Sequence, residues 1–182
     1  QGFPTGFGEH HLIRVTDEIK YQIRFQNTGT DTAFTVTVRE PIPSGIDPAS
    51  IVPLNASHPY TYAVDQNGKM TFLFNKINLP DSLTNPVGSN GFVTYKAKPY
   101  HDLAVGAVIA GEAEIYFDFN APIITNTVFH TIGEEFILVE VKTVHRETMN
   151  LKVSPNPGSD FVHFTWNNFD NKRWRVTLFD ML

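Results

Sequence analysis

An all-β sandwich is the fold class that the sequence predicts, and three observations predict it. Apolar residues recur at every second position in several short stretches, Gly, Pro and Asn punctuate the chain between them, and no window carries an apolar repeat near 3.6 residues. The first clear strand has Tyr21, Ile23 and Phe25 alternating with Lys20, Gln22 and Arg24, one apolar and one polar face, as in half-buried antiparallel strands. The second has Phe34, Val36 and Val38 alternating with Thr35, Thr37 and Arg39. Residues 27–31, Asn-Thr-Gly-Thr-Asp, tolerate φ > 0 and bond back to their own backbone, so the two strands are expected to form a hairpin. A second hairpin is expected about Asn67-Gly68, between residues 60–64 and 70–74. Further strands are expected at about residues 92–98, 111–120, 123–132 and 136–143. The alternation predicts one core containing Tyr21, Ile23, Phe25, Phe34, Val36, Val38, Ile115, Phe117 and Phe119.

Composition narrows the function classes. At 182 residues the chain suffices for one well-packed domain and a smaller partner. With no cysteine, a disulfide framework, a thiolate metal site and a cysteine nucleophile are all excluded. The formal net charge of −5, with 14 Lys and Arg scattered along the chain, gives no basic footprint for nucleic acid. No apolar run approaches the roughly 18 residues of a membrane-spanning helix. The chain begins at Gln1 with neither methionine nor a charged-then-apolar leader, and reads as a fragment.

Glu112, Glu114, Asp118 and Asn120 would share one face of a single strand over residues 111–120, with neighbouring carboxylates about 7 Å apart by strand rise. Such spacing suits a calcium ion or a general acid and base across a sugar bond. The solvated face of an antiparallel strand explains the same residues. Asn27, Thr30 and Asp31 make an oxygen-rich loop that could also ligate calcium, although turn chemistry accounts for them and the spacing is not that of an EF-hand. The metal candidates are therefore Glu112, Glu114, Asp118, Asn27 and Asp31, for calcium alone, and no other cofactor is expected. None of the seven histidines stands at the i, i+4 spacing of helical zinc sites. A crosslink of Lys20 to Asn120 or Asn126 would need a buried lysine, and Lys20 falls on the polar face of its strand. No nucleophile elbow or phosphate-binding glycine loop occurs, so no catalytic residue is assigned. Tyr60, Tyr62, Tyr95, Tyr100 and Tyr116 could stack sugars if exposed in a row, while core filling explains the same rings.

Near the end stands Leu151-Lys152-Val153-Ser154-Pro155-Asn156-Pro157-Gly158-Ser159-Asp160-Phe161-Val162, a strand end, a breaker and a fresh alternating strand. It resembles the opening of the type A C-terminal sorting domain of the type IX secretion system, found on exported proteins of Bacteroidota. Trp174-Arg175-Val176-Thr177-Leu178-Phe179-Asp180 resembles a later strand of that family, and the chain stops before the family's following glycine. Val153, Pro155, Asn156, Pro157 and Gly158 carry the sorting motif. Ile23-Arg24-Phe25-Gln26-Asn27-Thr28-Gly29, followed later by Ile115-Tyr116-Phe117-Asp118-Phe119-Asn120-Ala121-Pro122-Ile123, resembles an uncharacterised Ig-like domain of Bacteroidota surface proteins over about residues 6–132. These resemblances imply an Ig-like antiparallel β-sandwich at residues 1–132, a connector with one strand at 133–148 and a truncated β-sandwich sorting domain at 149–182. They imply a non-catalytic C-terminal region of a secreted or outer-membrane surface protein, exported through the periplasm. The type IX outer-membrane machinery is the expected partner. The alternative is an adhesive module whose partner is a surface glycan or a protein ligand.

Overall fold

The computed structural model describes residues 1–134, 152–154, 161 and 163–165. The chain divides into two compact units, Gln1–Leu138 and Val139–Leu182. In the first the strands are, in chain order, β1 (Gly2–Phe3), β2 (Leu12–Ile13), β3 (Ile19–Gln26), β4 (Ala33–Pro41), β5 (Val52–Ala56), β6 (Thr61–Val64), β7 (Lys69–Leu79), β8 (Asn90–Ala97), β9 (Val108–Gly111), β10 (Glu114–Phe117), β11 (Ile123–Ile124) and β12 (Val128–Ile132). Helical structure among the described residues is confined to a 3-10 turn at Pro48–Ser50.

Two sheets form the sandwich, with spatial orders β1-β3-β8-β5 and β11-β10-β4-β7-β6. The first reproduces the ABED order of an Ig fold, and the second its GFC order with β7 and β6 added beside β4. A third, small sheet runs β2-β12-β9. Pairing is antiparallel in the two large sheets, and the short β2–β12 pair is parallel. The period-two pattern of β3 is realised in full, with Ile19, Tyr21, Ile23 and Phe25 buried and an unbroken register from Ile19 opposite Ala97 to Gln26 opposite Asn90. The facing sheet contributes Val36, Val38, Met70, Phe72, Phe74 and Ile115 to the same core.

The Asn67-Gly68 hairpin forms as predicted. Val64 pairs with Met70, Gly68 takes φ 73°, and the Asp65 carboxylate accepts the Asn67 and Lys69 N–H groups, each at 2.9 Å. Residues 27–31 do not make a hairpin. They carry the chain from one sheet to the other, β3 pairing with β1 and β8 and β4 with β7 and β10.

Six of the nine predicted core residues, Tyr21, Ile23, Phe25, Val36, Val38 and Ile115, are buried, and Phe117 is half-buried. Phe34 and Phe119 are corrections: the first is 60% exposed and the second fully exposed. At Phe34 the β4–β7 register shifts, so that Ala33 and Val36 both face inward and Phe34 is turned out. At Phe119 the strand has already ended, because Asp118 sits at φ 53° and breaks the alternation. The single strands expected at 111–120 and 123–132 are each two strands. β9 gives way to β10 at Glu112-Ala113, and β11 to β12 across residues 125–127, so both arms leave the large sheet together. The break is tied by Ala113 N–H donating to Thr125 Oγ1 and Thr125 N–H donating to Ala113 O, both at 2.9 Å. Glu112 therefore does not share a strand face with Glu114 and Asp118. The strand expected at 136–143 lies outside the described residues.

In the second unit β13 (Lys152–Ser154) pairs antiparallel with β14 (His163–Thr165), Val153 opposite Phe164. The two strands flank Pro155, Asn156, Pro157 and Gly158, which lie outside the described residues.

Candidate functional site

The oxygen-bearing side chains singled out above are largely engaged with the backbone. Asp118 accepts the Thr35 N–H at 2.7 Å and the Phe34 N–H at 3.2 Å, and its own N–H donates to Thr35 O at 2.8 Å. It clamps the β4 irregularity to the end of β10. Asn27, 5% exposed, donates from Nδ2 to Asp31 O at 2.8 Å and Leu79 O at 3.0 Å, while its Oδ1 accepts the Gly29 N–H at 3.1 Å. The Asp31 carboxylate accepts the Thr32 N–H at 2.7 Å. Glu112 is exposed and accepts from Thr127 Oγ1 at 3.1 Å. Glu114 accepts from the Tyr116 hydroxyl at 3.0 Å and from Lys69 Nζ at 3.3 Å; the Tyr116 bond, then Lys69, holds its carboxyl below the usual range. Asn120 is exposed beyond the strand end. Among the described residues no three acidic or imidazole side chains group as metal ligands would.

The rings are dispersed too. Tyr95 is buried against Tyr21 and Phe72, Tyr60 and Tyr62 pack on Phe72, Tyr116 lies under the Arg39 guanidinium, and Tyr100 is exposed. Lys20 is exposed and pairs in register with Lys96.

Sequence reasoning missed Glu40. It occupies the inward face of β4, is only 3% exposed, and accepts from the Tyr95 hydroxyl at 2.9 Å. A cleft of about 240 Å³ opens on it, lined by Tyr21, Ile23, Glu40, Gly111, Asn126 and Val128 among others. Gly111 leaves room for the carboxyl, since a Cβ at that position would stand 2.9 Å from Glu40 Oε1 and 3.0 Å from Pro43 Cγ. Burial pushes the Glu40 carboxyl up to about 7, against the Tyr95 bond that favours the charged form. Beyond Tyr21 lies His130, 1% exposed, with Nε2 2.9 Å from Pro4 O and Nδ1 without a hydrogen-bond partner; burial holds its imidazole below the ordinary value. The signal for Glu40 was a charged residue at an inward position of β4, two places beyond Val38.

Glu40 predicts a pH dependence of stability. Its folded value lies above its unfolded one, so its contribution is full below about pH 4.5 and is lost as pH rises through about 7. His130 acts oppositely, losing stability as pH falls below the ordinary imidazole range. Glu40→Gln should therefore remove the decline between those limits, and denaturant unfolding of both proteins across that range checks it. Parallel pH profiles would show that Glu40 is already charged in the fold.

The ABED and GFC sheet orders, with a core shared between the sheets, define an Ig-like β-sandwich module. Residues 5–131 match the family described as Domain of unknown function (DUF7619), and the chain belongs to that family. No curated protein matches it. Among solved structures, the N-terminal domain of the Streptococcus gordonii adhesin Sgo0707 is 13% identical with a TM-score of 0.49; the match covers 73% of this chain and 31% of that one. A collagen-binding domain from a Staphylococcus aureus adhesin is 12% identical with a TM-score of 0.38, covering 64% of this chain and 88% of that one. The 35 kDa C-terminal fragment of the Streptococcus agalactiae major pilin GBS80 is 10% identical with a TM-score of 0.44, covering 65% of this chain and 50% of that one.

Proposed function

We propose that residues 1–132 are a non-catalytic Ig-like spacer or platform of a secreted or surface-anchored bacterial protein, and that residues 149–182 begin a type A sorting domain read by the type IX outer-membrane machinery of Bacteroidota. The observation that carries the first half is the use made of Asp118 and Asn27: their side chains bind backbone groups at loop junctions, where Asp118 ties the neighbouring strands β10 and β4 of one sheet and Asn27 ties the end of β3 to β7 of the facing sheet. Chemistry-bearing side chains spent in this way support a scaffold rather than a reaction centre. Millimolar calcium is accordingly expected to leave the unfolding temperature unchanged, because a ligand held only by the folded state would raise it. A calcium-dependent rise that Asp118→Asn abolishes would contradict the assignment.

For the address, support comes from the antiparallel β13–β14 pair on either side of Pro155-Asn156-Pro157, together with the motif itself. Fusing the complete parental C-terminal region to a passenger in a type IX-competent bacterium should place the passenger at the cell surface, and the region ending at Leu182 should leave it in the periplasm. Retention of the complete fusion would refute the sorting assignment.

One observation favours the adhesive alternative. Phe34, Phe119, Ile123 and Ile124 are all at least half exposed about the end of β10 and the adjoining edge strand β11. Apolar side chains so displayed suit a protein ligand better than a glycan.

A further inference from the structure

The outer strands of the two large sheets are not protected alike. β5 carries Pro53 and a register shift against β8, and β11 is two residues long and follows Pro122, devices that keep a sheet edge from pairing with another chain. β6 has no such device. Thr61 to Val64 hold neither proline nor lysine and run in unbroken register with Leu73 to Met70. The strand lies at the end of the five-stranded sheet away from β11, beside β5, where the Tyr60 hydroxyl donates to Leu54 O at 2.7 Å; Gln1 lies on the other side of the sandwich, with Ala113 and Thr125. Asp65 N–H donates to Lys69 O at 3.1 Å, so by the alternation of an antiparallel ladder Ala63 and Thr61 turn their backbone groups to β7, and Tyr62 and Val64 turn theirs outward. Among the described residues no strand pairs with that outer side.

We propose that β6 is a self-pairing edge, to which a second copy of this chain adds its own β6, antiparallel, about a twofold axis through Ala63. Two sheets of five strands then become one continuous sheet. The occupant is read from the match of the edge to itself. About that axis Tyr62 stands opposite Val64 of the second copy and Val64 opposite its Tyr62, so the outward donors and acceptors of both strands satisfy one another. Ala63 meets its own counterpart in the non-hydrogen-bonded pair, where Cα atoms approach to about 4.5 Å and a methyl side chain leaves room. Tyr62 and Val64 share the inner face with their buried partners Phe72 and Met70, and Val64 is 45% exposed. The Tyr62 ring of the second copy covers it, an aromatic and β-branched cross-strand pair. Thr61 meets Asp65 of the second copy, so no like charges are opposed. A contact between strands this short is small, and a dissociation constant on the order of 100 µM is expected. Copies held close together on one surface would pair more completely than copies in dilute solution. The site rests on the sheet alone and would survive the failure of the spacer assignment.

Sedimentation equilibrium of the intact chain from about 10 µM to about 1 mM should show a monomer passing into a dimer and no further. Amide hydrogen exchange at Tyr62 and Val64 should slow over the same range. Val64→Pro removes an outward N–H and no bond to β7, so it should leave a monomer with the parental unfolding temperature. Ala63→Lys sets two ammonium groups against each other across the axis; it should weaken the dimer by about tenfold, and high salt should restore much of the loss. Should Val64→Pro not fold, the lysine variant decides. A monomer throughout the range, assembly beyond the dimer, a dimer undiminished in a folded variant, or a dimer in which those two amides exchange as in the monomer would each overturn the proposal.

Discussion

Phe72→Ala is expected to lower the unfolding free energy by about 3–5 kcal/mol, the largest single loss foreseen for this chain. Phe72 is 0% exposed near the middle of β7, and its ring meets Tyr62 at 5.0 Å, Tyr60 at 5.9 Å and Tyr95 at 5.9 Å between centroids. Truncation removes the apolar surface buried there and leaves a void between two sheets whose backbones are fixed by their ladders, so relaxation fills little of it. Phe119→Ala is the control. Its ring is fully exposed, and the change should stay within about 0.5 kcal/mol. Denaturant titration of both variants separates the cases, and a Phe72→Ala loss near that of Phe119→Ala would mean that the two sheets do not close over this ring.

Asn27→Ala is expected to cost about 2–4 kcal/mol, through polar rather than apolar chemistry. Its amide holds the carbonyls of Asp31 and Leu79 and the N–H of Gly29 in a nearly buried position. The backbone around it adds a bond from Asn27 N–H to Ser89 O and one from Ser82 N–H to Asn27 O, each at 2.9 Å, so the β3–β4 and β7–β8 connections meet there. Alanine leaves two carbonyls and one N–H without their partner. Asn27→Asp preserves shape and the acceptor but loses both donors, and should be destabilised as well. If the aspartate variant matches the parent in denaturant midpoint, the bonds to Asp31 and Leu79 contribute little.

Much of the sandwich could be read from period alone, and where the reading failed the cause is local. Tyr21, Ile23 and Phe25 were legible because β3 runs without a break over eight residues, long enough for alternation to be unambiguous. Phe34 and Phe119 were not, because each sits beside a discontinuity set by partners far along the chain: the β4–β7 register shift and the turn at Asp118, fastened to each other by the Asp118 carboxylate. The Asn27 loop shows a second limit. Turn chemistry foretells that the backbone reverses, but it does not say whether the next strand joins the same sheet or, as β4 does, the facing one. Among the site residues, Asn27 and Asp118 were identified for their oxygens, and the structure gives those oxygens to backbone donors. Glu40 went unnoticed because an acidic residue following Val38 and Arg39 reads as the solvated end of a strand, and only the three-dimensional fold puts Tyr95 and Gly111 against it.

That closeness of Gly111 to Glu40 ties together the histories of two positions on different strands. A side chain gained at 111 presses its first carbon against Oε1 of Glu40 and against Pro43 at once, so that the carboxyl bonded to Tyr95 has to shift to make room. Across the sequences of this family the two positions should therefore vary jointly. Lineages that keep the acid at 40 should keep glycine at 111, and an alanine or serine at 111 should appear only where the residue at 40 has first become shorter.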